Sequence, residues 1–281
     1  MGDRKNKKKK VYAHFFVAAA LGGAFFFVAQ AEANASTFFE NFGGKGALNE
    51  SGSIESSASS DWWLNSGGQM KFRKGEGWTV QKKISSRSSW KKIYQRTNSA
   101  DTDGGKHPQN IFRLITRTSW QNFSQEAHFK VKKFNLSQSS NRNASNGLLL
   151  MSRYEDSDNL YYAGVRVDGY AVIKKKKNGE YFTLAYDRYF SRKEYSRQSK
   201  SRSHLLPKNK WIALKTEIRN LDGGKVEIKL FIQKKKNWVL IAEALDEPGK
   251  YGGDAILGEG YAGIRTDFMD VQFDKYRING L

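Results

Sequence analysis

The sequence contains no cysteine and only three prolines among its 281 residues. Without cysteine, disulfide bonds, thiolate catalysis and cysteine-based zinc sites are all excluded. The sequence also lacks a phosphate-binding loop, a nucleotide-binding fingerprint and a pair of metal-binding histidines. The fold must therefore be stabilised by packing, and nucleotide-dependent chemistry is not indicated.

The first 31 residues are predicted to be a signal peptide. A basic stretch from Arg4 to Lys10 precedes an uncharged apolar run over residues 11–28, and small residues at 29–31 and 33–35 offer cleavage sites. The alternative is an uncleaved anchor, because the run approaches the roughly 20 residues that span a bilayer. A membrane is thus a partner only if the segment is retained. Export without cysteine favours a secreted or cell-surface protein of bacterial origin.

The chain is strongly basic, with 48 lysines and arginines against 28 acidic residues. Removal of residues 1–31 leaves 42 basic and 27 acidic residues, a net charge of +15. Such a field attracts polyanions, of which acidic polysaccharides and cell-surface glycans are the candidates for an exported protein. Nucleic acid is less favoured, because the runs Lys174–Lys177 and Lys234–Lys236 flank turns and are typical of solvated surface.

The stretch from Asn159 to Tyr186 predicts three consecutive antiparallel strands. Asp168-Gly169 and Asn178-Gly179 are dipeptides that two-residue hairpin loops favour, because both positions require positive φ. β-Branched and aromatic runs recur on both sides of this meander, whereas helical periodicity is almost absent beyond the N-terminus. We therefore predict an all-β fold, a two-sheet antiparallel jelly-roll sandwich, as a single domain over residues 36–281.

Three further segments between or around the strands are predicted to be loops. They are the Gly/Ser-rich residues 43–60, the polar residues 98–110 and the strongly basic residues 188–208. The last segment is long and lacks periodicity, so we expect a flexible loop that contributes charge rather than core.

Strand alternation sorts the meander into an inner and an outer face. A two-residue loop at Asp168-Gly169 would pair Tyr162 with Lys175 and place both on the outer surface with Arg166. Aromatic rings stack on sugar faces and guanidinium groups bind carboxylates or sulfates in bidentate fashion, so this surface suits an acidic sugar. An ordinary solvated β-surface is the alternative. The predicted ligand-binding residues are Arg113, Arg117, Arg153, Tyr162, Arg166 and Lys175.

The order of these segments resembles the concanavalin A-like lectin/glucanase superfamily, in its LamG-like jelly-roll form. The resemblance is carried by residues 38–42 (FFENF), 147–179, 206–220 and 260–278, and covers nearly the whole mature chain. It implies a concave sheet face that binds carbohydrate, while members of the superfamily include lectins, hydrolases and lyases. The Glu-x-Asp-x-x-Glu strand of the hydrolases is missing, so a hydrolase is not favoured.

Two short runs resemble the jelly-roll alginate lyases. The lyase strand Arg-x-Glu-x-Arg is matched by Arg113 and Arg117, but Ile115 replaces the glutamate. In the lyase strand Tyr-x-Lys-Ala-Gly-x-Tyr, Ala163 and Gly164 match and Tyr162 stands at the lysine position. If the protein is a lyase, Tyr162 is the predicted base and acid, with its pKa lowered by neighbouring arginines.

Two other groups of residues are candidates for chemistry. His107 and His128 are the only histidines considered for catalysis, although exposed histidines are usually inert. The first and last strands pair in many superfamily members and hold a structural calcium ion, which implies Glu40, Asp270 and Asp274 as ligands. Surface carboxylates near strand ends are the alternative.

These observations lead to two candidate functions, one of a binding protein and one of an enzyme. The first is an exported carbohydrate-binding protein, lectin-like, that recognises an acidic polysaccharide on the concave face. The alternative is a polysaccharide lyase that cleaves alginate or another polyuronate by β-elimination.

Overall fold

The computed structural model describes residues 36–190 and 206–281, and strands dominate both parts. These described residues belong to one compact unit. The predicted signal peptide and most of the predicted basic loop, residues 191–205, lie outside the described residues. In chain order the strands are β1 (Thr37–Glu40), β2 (Gly46–Asn49), β3 (Trp62–Ser66), β4 (Gln69–Arg73), β5 (Glu76–Thr79), β6 (Ile111–Trp120), β7 (Phe123–Phe134), β8 (Gly147–Tyr154), β9 (Leu160–Arg166), β10 (Tyr170–Lys177), β11 (Glu180–Arg188), β12 (Trp211–Leu221), β13 (Lys225–Lys234), β14 (Asn237–Asp246), β15 (Gly260–Asp267) and β16 (Met269–Gly280).

The strands form two antiparallel sheets. Sheet A has the order β14-β13-β12-β7-β16-β5-β4-β2, with β1 also paired to β16, and sheet B has the order β11-β10-β9-β8-β15-β6-β3. The first and last strands pair as expected, with Phe38 opposite Ile278. The all-β jelly-roll sandwich predicted from the sequence is confirmed.

The core lies between the sheets and follows the alternation of the strands. In sheet B, Leu148, Leu150, Tyr161 and Ala163 face sheet A, and their neighbours in sequence face outward. Period-two alternation therefore decides which residues of sheet B remain available for binding.

Only one α-helix occurs among the described residues, α1 (Ser89–Thr97), followed by a short 3₁₀ helix at Pro108–Asn110. No helix in this part of the chain combines the length and apolarity needed to cross a membrane. The predicted loops are not wholly irregular, because β2 lies within residues 43–60 and the 3₁₀ helix within residues 98–110.

The β9–β10 turn differs from its prediction by one residue. Arg166 and Tyr170 close a three-residue loop, in which Gly169 has φ of 86° and its N–H donates to the Arg166 carbonyl at 2.9 Å. Three-residue hairpins commonly place glycine in this left-handed position. Val165 consequently lies opposite Ala171, so Tyr162 faces Lys174 rather than Lys175. A slip of one residue moves each side chain to the other face of the sheet.

Candidate functional site

The outer face of sheet B brings two arginines together on adjacent strands. Arg113 of β6 lies directly opposite Arg265 of β15, and Arg265 lies opposite Leu149 of β8. Both arginine side chains are half-buried. Two guanidinium groups at facing positions repel each other unless an anion lies between or beside them.

Only one of these arginines has a protein carboxylate as its partner. Arg265 Nε lies 3.1 Å from both carboxylate oxygens of Asp267, whose charge raises the pKa of Arg265 despite the opposing effect of burial. Among the described residues, the guanidinium of Arg113 forms neither a hydrogen bond nor an ion pair. Burial and the charge of Arg265 lower the pKa of Arg113. The charge of Asp267 opposes this shift only in part, so Arg113 is a cation without a hydrogen-bonded anionic partner among the described residues.

Tyr162 lies on the same face and contacts the arginine pair. The Arg265 guanidinium lies 5.4 Å from the centroid of the Tyr162 ring, and the ring of Tyr181 packs edge-on at 6.3 Å. The Tyr162 hydroxyl forms no hydrogen bond with the described residues. Burial raises the pKa of Tyr162 and outweighs the opposing effect of Arg265. The prediction that neighbouring arginines lower the pKa of Tyr162 is therefore wrong.

Lys174 takes the place predicted for Lys175. It lies opposite Tyr162 on β10, is half-buried, and has no ion pair among the described residues. Burial, with the charges of Arg166 and Arg265, lowers its pKa.

These side chains border a cavity of about 350 Å³ on the outer face of sheet B. The cations Arg113, Lys174 and Arg265 line it together with two carboxylates, Asp267 and Asp101. Asp101 accepts hydrogen bonds from Asn98 of its own loop and from Ser139 and Asn141 of the β7–β8 loop, at 2.5 to 3.1 Å, so its charge is already engaged. The remaining polar wall consists of Asn141, Asn143, Ser145 and Asn146.

A buried apolar cluster continues the same face beyond the cavity. Half-buried Trp63 and Tyr261 pack against it, and the Trp63 ring meets Tyr154 edge-on at 6.5 Å. Its buried members are Ile115, Leu149, Met151, Tyr154, Leu160, Tyr162 and Val172. The face thus combines cations, amides and aromatic rings, the groups that bind the carboxylates, hydroxyls and ring faces of sugars.

Two predicted residues lie on this side of sheet B but are engaged elsewhere. Arg166 donates to Asp168 at 2.6 Å and to the Ala144 carbonyl at 3.0 Å, and its guanidinium lies 4.7 Å from the Tyr186 ring. Arg117 donates to the Ser59 carbonyl at 2.7 Å. Neither lines the cavity.

The outward placement predicted for Arg153 and Lys175 is wrong. Arg153 is fully buried, and its φ of 48° turns the side chain away from the outer face. Its Nε donates a hydrogen bond to the Gln121 carbonyl at 3.0 Å, and a second guanidinium nitrogen donates to the Ile256 carbonyl at 2.6 Å. Lys175 is also fully buried and forms an ion pair with Asp246 at 2.9 Å. Both side chains therefore form stabilising contacts in the interior of the sandwich and are not available to a ligand on its surface.

The three carboxylates proposed for calcium do not assemble into a site. Across residues 36–190 and 206–281, no group of three or more His, Asp or Glu side chains is placed to hold a metal ion. Asp270 is buried, and its oxygens accept hydrogen bonds from Lys82 N–H, Gln109 and Asn135 at 2.7 to 2.9 Å. Glu40 accepts from Phe42 N–H and Asp274 from Lys275 N–H.

Neither candidate histidine lines the cavity. His107 Nδ1 lies 2.9 Å from Asp103 Oδ2 in the loop before β6. His128 belongs to sheet A, where it lies opposite Ala213 and Asp274. No histidine in the described part of the chain is therefore available to the Tyr162 face as a base.

Sequence reasoning missed Arg265, Lys174 and Asp267. Alternation along β15 groups Gly263, Arg265 and Asp267 on one face, but it does not reveal that β15 lies next to β6. That adjacency is a property of the topology, and it creates the arginine pair.

No protein-family model and no curated protein matches the sequence. Solved structures with a similar sandwich include a carbohydrate-binding module, CBM66, from Bacillus subtilis, with 19% identity and a TM-score of 0.39 over 60% of this chain and 82% of that one. An alginate lyase, Aly36B, has 9% identity and a TM-score of 0.41 over 88% of this chain and 97% of that one. A prokaryotic β-1,3-1,4-glucanase from a mouse hindgut metagenome has 10% identity and a TM-score of 0.44 over 87% and 99%. These proteins differ in activity, so the function is inferred from the residues of this chain.

Proposed function

We propose that the protein is an exported carbohydrate-binding protein that recognises an acidic polysaccharide on the outer face of sheet B. The observation that carries the proposal is the facing pair of Arg113 and Arg265, in which only Arg265 has a carboxylate partner. A uronate carboxylate or a sugar sulfate beside Arg113 would supply the missing anion in bidentate geometry.

The other groups around the cavity fit the rest of such a ligand. Lys174 offers a second cation without an ion pair. Asn141 Oδ1, Asn143 Nδ2 and the Ser145 hydroxyl, which form no hydrogen bond with the described residues, offer acceptors and donors for sugar hydroxyls. Beyond the cavity, the half-buried rings of Trp63 and Tyr261 extend the face, which suits a further sugar unit.

The lyase alternative gains no support from the site. β-Elimination needs a group that removes the proton beside the uronate carboxylate. Burial raises the pKa of Tyr162, and neither His107 nor His128 reaches the cavity. Binding without turnover is the function that the geometry favours.

Binding to a panel of soluble polysaccharides tests the proposal. At about 0.15 M ionic strength, where screening acts beyond roughly 8 Å, the full chain should prefer alginate or a sulfated glycan to a neutral glucan. The proposal is contradicted if acidic and neutral polymers are retained equally. It is also contradicted if the protein shows no preference among polyanions of equal charge and high salt abolishes all binding.

A further inference from the structure

A larger cavity, of about 650 Å³, lies on the outer face of the other sheet. It is formed by β4, β5, the segment 79–84 and the end of β7. Met70 and Val131 point into the core, so their neighbours Lys71 and Lys132 point away from it. This cavity therefore lies on the opposite sheet from the Arg113 site, and the two have no lining residue in common.

The cavity is lined by five cations: Lys71, Arg73, Lys82, Lys132 and Lys133. None of the five forms an ion pair with a described residue. The only carboxylate in the lining is Asp270, and its oxygens are occupied by hydrogen bonds from Lys82 N–H, Gln109 and Asn135. The five cations thus present an unbalanced positive field to a ligand.

An indole ring is fixed among these charges. Trp78 is half-buried, and its Nε1 donates to the Arg73 carbonyl at 3.1 Å, which sets the orientation of the ring. The Arg73 guanidinium lies 5.4 Å from the ring centroid. The apolar side chains of Val80 and Ile84 line the same cavity. An anion with an apolar face matches this combination better than a small inorganic anion does.

Trp78 also belongs to a row that crosses the sheet. Lys71 lies opposite Trp78, Trp78 opposite Gln272, Gln272 opposite Lys130, and Lys130 opposite Trp211. The Lys130 ammonium lies 4.1 Å from the centroid of the exposed Trp211 ring and forms an ion pair with Glu76 at 3.1 Å, so it holds the ring rather than adding a free charge. Gln272 is buried, whereas Lys71 and Trp211 at the two ends of the row are exposed. Four steps of about 4.8 Å between strands separate these ends by roughly 19 Å, which several units of an extended polymer would span.

We propose that this row and cavity form a second binding site for an acidic polysaccharide, so that one molecule of the protein bridges two polysaccharide strands. The choice of polysaccharide as the polyanion rests on the proposed function and on the predicted export of the chain. The existence of the site rests on the cavity, the unpaired cations and Trp78, which share no residue with the Arg113 site.

Three pairs of substitutions in the full chain test the bridge. Lys71→Glu/Lys132→Glu reverses two cations of the new site, and Arg113→Ala/Lys174→Ala removes two cations of the first site. Lys235→Glu/Lys236→Glu, in the exposed β13–β14 turn, changes the net charge as much as the first pair and serves as its control. Circular dichroism verifies that each variant is folded.

Calorimetry with a short alginate or heparin oligosaccharide counts the sites, and light scattering with the long polymer reports bridging. We expect the original chain and the turn control to bind two oligosaccharides per protein, and each site variant to bind one. Only the chains with two sites should increase light scattering with the long polymer. Affinity at the new site should fall at least ~10-fold in Lys71→Glu/Lys132→Glu.

The outcomes separate the two proposals. If Lys71→Glu/Lys132→Glu still binds as many oligosaccharides as the original chain, or if both reversal pairs weaken binding equally, the second site is excluded. A stronger preference of this site for a single-stranded oligonucleotide of equal charge also overturns it. If instead Arg113→Ala/Lys174→Ala changes nothing while Lys71→Glu/Lys132→Glu abolishes binding, the second site stands and the function proposed for sheet B falls.

Discussion

Lys175 Nζ lies 2.9 Å from Asp246 Oδ2, and neither side chain is exposed. The Tyr161 hydroxyl donates to the same Asp246 oxygen, and Lys175 also donates to the Asp254 carbonyl at 2.8 Å. The pair joins β10 to β14 and to the loop before β15 inside the sandwich. Removing one partner of a buried ion pair leaves an uncompensated charge in a medium of low dielectric constant.

Asp246→Ala is therefore expected to lower the free energy of unfolding by about 3–5 kcal/mol. The double variant Lys175→Met/Asp246→Leu should recover much of this loss, because it leaves no charge behind. Urea denaturation of the two variants and the original chain measures the difference. A cost below about 1 kcal/mol for Asp246→Ala would show that the pair is not important for stability.

The strands of the second half of the fold could be predicted from the sequence because their alternation is strong. The three strands predicted over Asn159–Tyr186 are β9, β10 and β11, and the Asn178-Gly179 hairpin is confirmed by positive φ at both residues. The strands before residue 80 are only four or five residues long, which gives too few alternations for a clear signal.

The candidate site could be predicted only in part. Arg113 and Tyr162, predicted from strand alternation and from the resemblance to the lyase strands, both line the cavity. Lys174 was missed because the loop after Arg166 has three residues instead of two, and Arg265 because strand adjacency is not encoded in local sequence. Arg153 was misplaced because a left-handed backbone, with φ of 48°, interrupts the alternation at the end of β8.

Tyr162→Phe is expected to leave the affinity for an acidic oligosaccharide within about two-fold of the original value, because the hydroxyl has no hydrogen-bond partner among the described residues and the ring is retained. Calorimetry measures the affinity. Incubation of the original chain with polyuronates should give no rise in ultraviolet absorbance, since no unsaturated product forms. A rise that Tyr162→Phe abolishes would identify Tyr162 as a lyase base.

Binding should also depend on pH through Lys174. The pKa of this lysine is lowered by burial and by Arg166 and Arg265. Its charged form attracts the anion, so affinity is complete below this lowered pKa and falls as the pH rises through it.

Lys174→Arg should remove that decline, because the guanidinium keeps its charge up to a pH of about 12. Titration of oligosaccharide affinity from roughly pH 7 to 10 compares the two profiles. Parallel profiles would show that Lys174 does not contact the anion.

Removal of residues 1–31 is expected to give a soluble domain that unfolds cooperatively. All the described strands and the core between the sheets belong to residues 36–281, so their packing does not require the deleted segment. Thermal denaturation followed by circular dichroism tests this. Aggregation that only detergent reverses would indicate that the segment belongs to a membrane-embedded fold.

The central claim, that Arg113 binds the anionic group of the sugar, is tested most directly by comparing Arg113→Ala with Arg117→Ala. Both arginines belong to β6, but Arg117 donates to the Ser59 carbonyl and does not line the cavity. The comparison is made with a short alginate oligosaccharide in the Lys71→Glu/Lys132→Glu background, so that only sheet B is available. Arg113→Ala should weaken binding by ~10-fold or more, as expected for the loss of a charged hydrogen bond, and Arg117→Ala by no more than about two-fold. Equal effects of the two substitutions, or none from Arg113→Ala, would contradict the account.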